Sequence, residues 1–282
     1  MSMEKMFLTL DKQMIRLTRT AERNVGQQYG LMLREIRAKL QDTYASYALE
    51  DGSLTYSQMV RYGRIDKLNA ELDAIINAHT AGVASEIRGG LKKTVTSSFD
   101  QSRQAIEQAA ARPIRGVLKP EIITEILQNP ISGLKLNDRL AVRRRETLLT
   151  VREELTRGLV RGDRYKDIAR RLQGRLEIDA GKATRIVRTE GHRCMEAGKK
   201  ASLDVAAKGG VNLLKWWKDS DDERVRASHG YMARKYSKEN AIPYDEDFVN
   251  DRTGGRGPHP GALGTAEDDI FCRCVMVIEI GP

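Results

Sequence analysis

Aromatic residues, proline and histidine are all scarce in this chain of 282 residues. Aromatics make up only 5% of it, and there are seven prolines and four histidines. So few aromatic residues disfavour a β-sandwich or barrel core, and so few prolines permit long helices. With 40% hydrophobic and 31% charged residues, the composition favours helices that keep one face in solvent.

Cysteine and long apolar runs are also rare. Three cysteines, an odd number, argue against a disulfide framework and favour folding in a reducing cytoplasm. No apolar run approaches the ~20 residues that span a bilayer. The first residues, MSMEKMFLTLDKQ, lack a basic segment followed by an apolar one, so no secretory signal is predicted. We therefore expect no membrane partner.

Residues 1–113 are predicted to form long helices, either an extended arm or a bundle. Apolar residues recur every three or four positions, as an amphipathic helix requires. The first stripe contains Phe7, Leu10, Met14 and Leu17. Ser53 is predicted to cap a second segment, and Gly89-Gly90 to interrupt a third, which ends before Pro113.

Residues 114–137 contain two prolines and two glycines around the short helical sequence EIITEIL. This segment is predicted to be a structured connector between domains. The remaining residues, 138–282, are predicted to form one domain made of a basic helical block, 138–207, and a small α+β unit, 208–282. The fold class is therefore α+β and predominantly helical, with a small β-sheet after the long N-terminal helices.

Most of the net charge of +9 is concentrated in the basic helical block. Residues 138–193 hold 16 Lys and Arg against nine Asp and Glu. Breaks are predicted at Gly162-Asp163 and near Gly174, with helix-turn-helix-like spacing. Arginines in this block are predicted to contact the phosphates of double-stranded DNA without sequence preference. The candidates are Arg143, Arg144, Arg145, Arg170, Arg171, Arg185 and Arg188. Alternatively, these arginines pair with nearby acidic residues on their own helices.

The last third of the chain holds most of the residues that could carry chemistry. A strand is predicted at 215–217, a helix at 223–234 capped by Ser220–Asp222, a long loop at 250–269 and a buried strand at 271–280. Because side chains two apart in a strand share a face, Cys272 and Cys274 would project together. With His229 and His259 opposite them, the two thiolates could bind zinc. Alternatively, both cysteines are small hydrophobic residues of the core.

The same residues resemble a known family. Lys215-Trp216, the run from Asp222 to His229, Pro260-Gly261 and the triplet Cys272-Arg-Cys274 follow one another as in the phage Mu protein F-like minor head proteins. The sequence Arg188-Thr-Glu190 is also similar. The resemblance covers residues 140–277. Two departures are Gly230–Ala233, where the family has a Leu-Asp-Gly-like step, and Phe271, where Asn is common.

The resemblance implies a structural part of a virion that acts in head morphogenesis. It implies several copies in the head interior or at the portal vertex, assembled in the host cytoplasm with portal and capsid proteins and in contact with packaged DNA. No catalytic residue is predicted. Two alternatives stay open: a small nuclease that uses His229 and His259 as acid and base, and a sequence-reading DNA-binding regulator.

Overall fold

The computed structural model describes residues 2–131 and 133–281. Within them the fold is α+β and predominantly helical, which confirms the predicted class. The α-helices are α1 (Met3–Tyr47), α2 (Tyr56–Val60), α3 (Arg64–Ala110), α4 (Pro120–Gln128), α5 (Leu136–Arg161), α6 (Tyr165–Lys208), α7 (Ala227–Lys235) and α8 (Ala266–Asp269). The strands are β1 (Leu213–Lys218), β2 (Ile242–Pro243), β3 (Phe248–Asn250), β4 (Gly255–Gly257) and β5 (Val275–Ile280). None of the described helices is both long enough and apolar enough to cross a bilayer.

The chain packs into two compact units, each built from separated segments. The sheet unit comprises Met1–Ala21, Arg88–Leu136 and Ile186–Pro282, and the helical unit comprises Glu22–Ile87 and Asn137–Arg185. Helices α1, α3 and α6 each contribute residues to both units. The sequence predicted three consecutive segments with boundaries at residues 113 and 137. These boundaries stay a prediction.

In the helical unit, α1 and α3 pack against each other. Buried side chains follow the predicted spacing along both helices. They include Met32, Ile36, Leu40, Leu68, Leu72 and Ile76. Polar contacts flank this stripe: Asn24 Nδ2 donates to Glu86 Oε2 at 2.9 Å, and Lys39 Nζ lies 2.6 Å from Glu71 Oε2.

Two predicted helix breaks are wrong. Helix α3 continues through Gly89-Gly90, and α6 continues through Gly174, so the basic block has no helix-turn-helix at that point. An exposed glycine inside a helix costs only about 1 kcal/mol relative to alanine. The buried stripe continues on both sides of Gly174, with Leu172 before it and Leu176 after it, and burial of these side chains outweighs that cost.

The helix start predicted at Ser53 is also wrong, because Thr55 provides the cap. The Thr55 hydroxyl accepts from Gln58 N at 3.4 Å, while Gln58 Oε1 accepts from Thr55 N at 2.8 Å. This reciprocal pair is a capping box at the start of α2. Ser53 instead donates its backbone N–H to Asp51 Oδ1 in the preceding turn.

The sheet unit contains a three-stranded antiparallel sheet in the order β2-β1-β5 and a separate β3–β4 hairpin. The strand predicted at 215–217 is confirmed as part of β1, in which Trp217 lies opposite Met276. The strand predicted at 271–280 begins only at Val275. Phe271 has a φ of 58°, a left-handed conformation that a strand cannot contain, and it delays the start of β5.

Side chains of α6 cover the outer edge of β5. His192 Nε2 lies 2.7 Å from the Cys274 carbonyl oxygen, and Glu196 Oε2 accepts from Met276 N at 3.0 Å. Lys199 Nζ donates to the Met276 carbonyl at 3.4 Å. His192, Glu196 and Lys199 are spaced four and three residues apart, so they lie on one face of α6. That face provides hydrogen-bond partners for the backbone groups of Cys274 and Met276.

Candidate functional site

Two distant sequence segments meet beside α7. The predicted cap at Ser220–Asp222 is wrong: the helix begins after Arg226, without a side-chain cap. Asp222 instead forms a two-point ion pair with Arg273, in which Nη2 donates to Oδ1 at 2.7 Å. The hydrogen bonds from Arg273 lower the pKa of Asp222 to about 2. Arg273 lies between the two cysteines in sequence, so this surface pair joins their segment to the residues that precede α7.

His229 and the two cysteines converge inside the sheet unit. His229 Nδ1 lies 3.2 Å from Cys274 Sγ and 3.8 Å from Cys272 Sγ. All three side chains are buried, with relative exposures of 3 to 4%. Three of the four residues predicted to meet therefore do so, although both cysteines precede β5 and strand alternation does not bring them together.

The two cysteines differ in acidity because they touch each other. A hydrogen bond from Cys272, followed by one from His229, lowers the pKa of the Cys274 thiol to about 5. Burial raises the pKa of Cys272 well above its ordinary value. The third cysteine, Cys194, is buried elsewhere in the unit, and burial raises its pKa to about 12.

Asp268 is a site residue that the sequence reasoning missed. Its Oδ1 lies 3.6 Å from His229 Nε2, on the side of the ring opposite the sulfurs. Asp268 is fully buried and accepts hydrogen bonds from Asn250 Nδ2, Thr253 Oγ1 and Thr265 Oγ1 at 2.8, 2.5 and 2.7 Å. The spacing Thr265-x-x-Asp268, typical of a helix start, was the available signal.

His259 does not join this group, although the sequence placed it there. The ring is buried, and its Nδ1 lies 2.9 Å from the Pro260 carbonyl oxygen, which it can only approach as a donor. Burial lowers the pKa of His259 to about 3, so the ring is neutral. With His229 also buried, the structure does not present the two histidines as a solvent-facing acid and base pair.

Glu190 of the Arg188-Thr-Glu190 segment has a structural role as an ion-pair partner of Arg193. Buried Glu190 Oε2 accepts from Arg193 at 3.0 Å from Nε and 2.8 Å from Nη2. Arg193 Nη1 also donates to the Ile126 carbonyl at 2.7 Å, which attaches α6 to α4. Arg188 itself lies on the exposed face of α6.

The seven arginines predicted to contact DNA fall into two groups. Arg144, Arg145, Arg170, Arg185 and Arg188 are exposed; the first four lie in the helical unit and Arg188 in the sheet unit. The other two are held by carboxylates. Arg171 bonds to Glu154 at 3.1 Å and to Asp163 at 2.6 Å, and Arg143 lies 2.6 Å from Glu146.

The joined segments around Asp222, His229 and Cys272-Arg-Cys274, together with most of the basic block, lie in a part of the sequence that matches a known protein family. The family described as Phage Mu protein F like protein matches residues 149–277. The chain belongs to this family, a class of phage minor head proteins, and is a structural component of a phage head.

Among individual proteins, the chain is similar to the minor head protein GP7 of Bacillus phage SPP1. The two are 31% identical over 275 residues, which is 96% of this chain and 86% of GP7. A match along nearly the whole length to a structural protein is consistent with the prediction that the chain is not an enzyme. The location that the family implies is the virion, in assembly with other virion components.

A second relative is the NAD(+)--arginine ADP-ribosyltransferase EFV of Enterococcus faecalis. It is 26% identical over 229 residues, which is 80% of this chain but only 45% of EFV. More than half of EFV lies outside the match, so the activity in its name does not transfer to this chain. No solved structure matches significantly.

Proposed function

We propose that this head protein lies at the portal vertex, on the inner side of the head, where it contacts the portal protein, neighbours the capsid protein and touches packaged DNA. Residues 138–282 are the part that we assign to the Mu F-like domain. The family membership and a group of exposed apolar side chains in the helical unit support the portal contact. The exposed arginines support the DNA contact.

The apolar group, here called the loop patch, surrounds the turn between α1 and α3. It consists of Tyr47, Leu49, Tyr56, Val60 and Tyr62, all of them exposed. Tyr62 carries the proposal, because it is 91% exposed and held at a φ of 57° in a 3-10 turn. The Arg64 guanidinium lies 4.2 Å from the Tyr47 ring centre and 5.3 Å from the Tyr62 ring centre.

Exposed tyrosines beside an arginine have the composition of an interface centre. Leaving so many large apolar side chains in water is unfavourable unless a partner covers them. Tyr62 and Arg64 together therefore suit a protein surface, and the portal protein is the partner that the family resemblance implies.

Co-expression with the portal and capsid proteins of the same phage tests this contact. Tyr62→Ala should reduce co-purification with the portal protein at least tenfold while leaving the thermal midpoint unchanged. Ile178→Ala, which removes another exposed apolar side chain of the helical unit, is the matched control and should co-purify normally. Unchanged capture of the portal by Tyr62→Ala, or capture of capsid protein alone, would contradict the proposal.

For DNA, four of the predicted arginines remain in the helical unit once Arg143 and Arg171, which carboxylates hold closely, are set aside: Arg144, Arg145, Arg170 and Arg185. The Arg170 side chain is 80% exposed, and its Nη1 lies 3.7 Å from Asp167 Oδ1. Such a surface ion pair is weak, so a DNA phosphate can replace the carboxylate as the partner of Arg170. Contacts of this kind give affinity without sequence preference and weaken as salt increases.

Duplex binding measured across a salt series tests this proposal. Replacing the four arginines by alanine should flatten the dependence of log affinity on log salt by about 0.9 for each phosphate that the variant no longer neutralises. The control replaces four exposed cations of the sheet unit, Lys208, Arg224, Lys238 and Arg256. Equal effects of the two sets would show that only net charge matters, and a strong sequence preference would favour a DNA-binding regulator instead.

A further inference from the structure

The buried group formed by His229, Cys272 and Cys274 has the donor atoms of a transition-metal site. Within the described residues, the ring nitrogen and both sulfurs lie within 4.8 Å of one another. Two sulfurs and one imidazole nitrogen are a soft donor set that suits zinc rather than magnesium or calcium.

The distances within the group fit a single ion. In a tetrahedral zinc site with Zn–S near 2.3 Å and Zn–N near 2.0 Å, sulfur and nitrogen are separated by about 3.5 Å. The observed separations from His229 Nδ1 are 3.2 Å to Cys274 and 3.8 Å to Cys272. They lie on either side of that value, so small side-chain rotations bring both into range.

The surroundings of His229 are those of a metal ligand. A ligating histidine typically donates its second ring N–H to a carboxylate, which fixes the tautomer and directs the other nitrogen at the metal. Asp268 Oδ1 lies 3.6 Å from His229 Nε2, just beyond hydrogen-bond distance, and a small side-chain rotation would let it accept from this otherwise unpartnered buried nitrogen. The three hydrogen bonds from Asn250, Thr253 and Thr265 hold the carboxylate there, although α8, which carries Asp268, is far from His229 in sequence.

The protein around the sulfurs is apolar. Trp217 meets the His229 ring edge-on at 6.0 Å between ring centres, and Met232, Phe248 and Met276 belong to the same buried cluster. A thiolate in such surroundings is unfavourable unless a cation compensates its charge. A dication bound to two thiolates gives a group with no net charge.

We propose that His229 Nδ1 and the sulfurs of Cys272 and Cys274 bind one zinc ion, with Asp268 orienting His229 and a water molecule as the fourth ligand. His259, which the sequence placed in the site, is outside it. The ion would tie the Cys272–Cys274 segment to α7 and so stabilise the sheet unit. This proposal does not depend on the portal or DNA contacts.

The test uses the full chain, purified under reducing conditions from zinc-supplemented cells. Elemental analysis should find about one zinc per chain. Replacement by cobalt should give the intense thiolate-to-cobalt absorption, and chelation should lower the thermal midpoint, with recovery on zinc addition. Absence of bound zinc together with absence of the cobalt absorption would overturn the proposal. A Cys272–Cys274 disulfide that persists in protein purified with reductant and added metal would also overturn it.

Variants separate this site from adventitious metal binding. Cys272→Ser and Cys274→Ser should each lose the bound zinc and the cobalt absorption. Cys194→Ser and His259→Asn are the matched controls, one cysteine and one histidine outside the group, and should keep both. Loss of zinc from either control with its helix content intact would contradict the assignment.

Asp268→Asn provides a test that leaves every ligand in place. Because the change weakens only the orientation of His229, zinc affinity should fall by about 10- to 100-fold while the cobalt spectrum keeps its thiolate bands. An unchanged affinity would remove Asp268 from the site. If every variant is unstable, the wild-type protein alone still tests the proposal: folded, reduced wild type that binds no cobalt would contradict it.

Discussion

Lys199 on α6 forms a buried ion pair with Asp11 on α1, with 2.5 Å between Nζ and Oδ1. The same ammonium lies 2.8 Å from Glu196 Oε1, and its side chain is 1% exposed. One cation thus joins α1, α6 and, through the Met276 carbonyl, β5. Burying this cation between two carboxylates is favourable only while all three are present.

Lys199→Met should therefore be strongly destabilising. It leaves Asp11 and Glu196 buried without their cation, a loss of about 3–5 kcal/mol in the free energy of unfolding. Urea unfolding followed by circular dichroism measures it. The matched control is Lys200→Met, which removes a more exposed pair with Asp204 at 2.5 Å and should cost at most about 1 kcal/mol. Equal costs would show that burial of the pair is unimportant.

The buried pair also gives the protein a pH dependence. Burial raises the pKa of Asp11 to about 6 from 3.8, Glu196 raises it further, and Lys199 and His192 oppose the increase. The native state therefore holds a proton that the unfolded chain releases between about pH 4 and pH 6. The contribution of Asp11 to stability is present below pH 4 and is lost as the pH rises to 6, by about 3 kcal/mol.

Asp11→Asn should remove that contribution, so the stability difference between wild type and variant should change by about 3 kcal/mol across this window. Urea unfolding at pH 4 and pH 6.5 measures it. Asp204→Asn, at the more exposed pair, should follow the wild-type pH profile. A wild-type profile in Asp11→Asn would show that another group is responsible.

Two glycines on α6 should respond oppositely to alanine. A Cβ on Gly198 would lie 2.6 Å from the Val95 carbonyl oxygen and 2.9 Å from Ser98 Cβ, because α6 closely approaches α3 there. Gly198→Ala should cost about 1–3 kcal/mol. Gly174→Ala meets nothing within 4 Å and should stabilise the helix by about 0.5–1 kcal/mol. Thermal unfolding distinguishes the two, and a stabilised Gly198→Ala would show that the helices can separate without cost.

The capping box of α2 predicts a smaller difference in stability, between variants of Thr55 and Ser53. Thr55→Ala removes one half of the capping box and should lower stability by about 1 kcal/mol. Ser53→Ala, two residues earlier, should change it by less than about 0.5 kcal/mol, because Ser53 lies in the preceding turn. Denaturant unfolding of both variants measures the difference. A larger loss of stability in Ser53→Ala would support Ser53, as predicted from sequence, as the residue that caps the helix.

The long helices were predictable because their buried residues recur periodically along the sequence. Strand β1 was predictable because its two adjacent tryptophans favour a strand, and both are buried. The meeting of His229 with Cys272 and Cys274 was also predicted, but for a reason that did not apply. Phe271 turns the chain before β5, and no local pattern in sequence reveals that path. Periodicity outweighed the glycines at 89 and 174, because one exposed glycine costs less than a continuous buried stripe contributes.

Asp268 and Asp11 could not be assigned from sequence, since each acts through a partner more than thirty residues away. Two adjacent aspartates such as Asp268-Asp269 are usually solvent-exposed, so the sequence gives no reason to expect that both are buried. Only the Thr265-x-x-Asp268 spacing hinted at an ordered role, and it indicated a helix start rather than a neighbour of His229.

The side chains that α6 places along β5 also determine how copies of this protein can meet. A bare outer strand would accept a strand from a second molecule, and such pairing spreads without limit. His192, Glu196 and Lys199 already occupy the backbone groups of Cys274 and Met276 that an incoming strand would need. Copies of this protein can therefore lie side by side without sheet-to-sheet polymerisation through this edge.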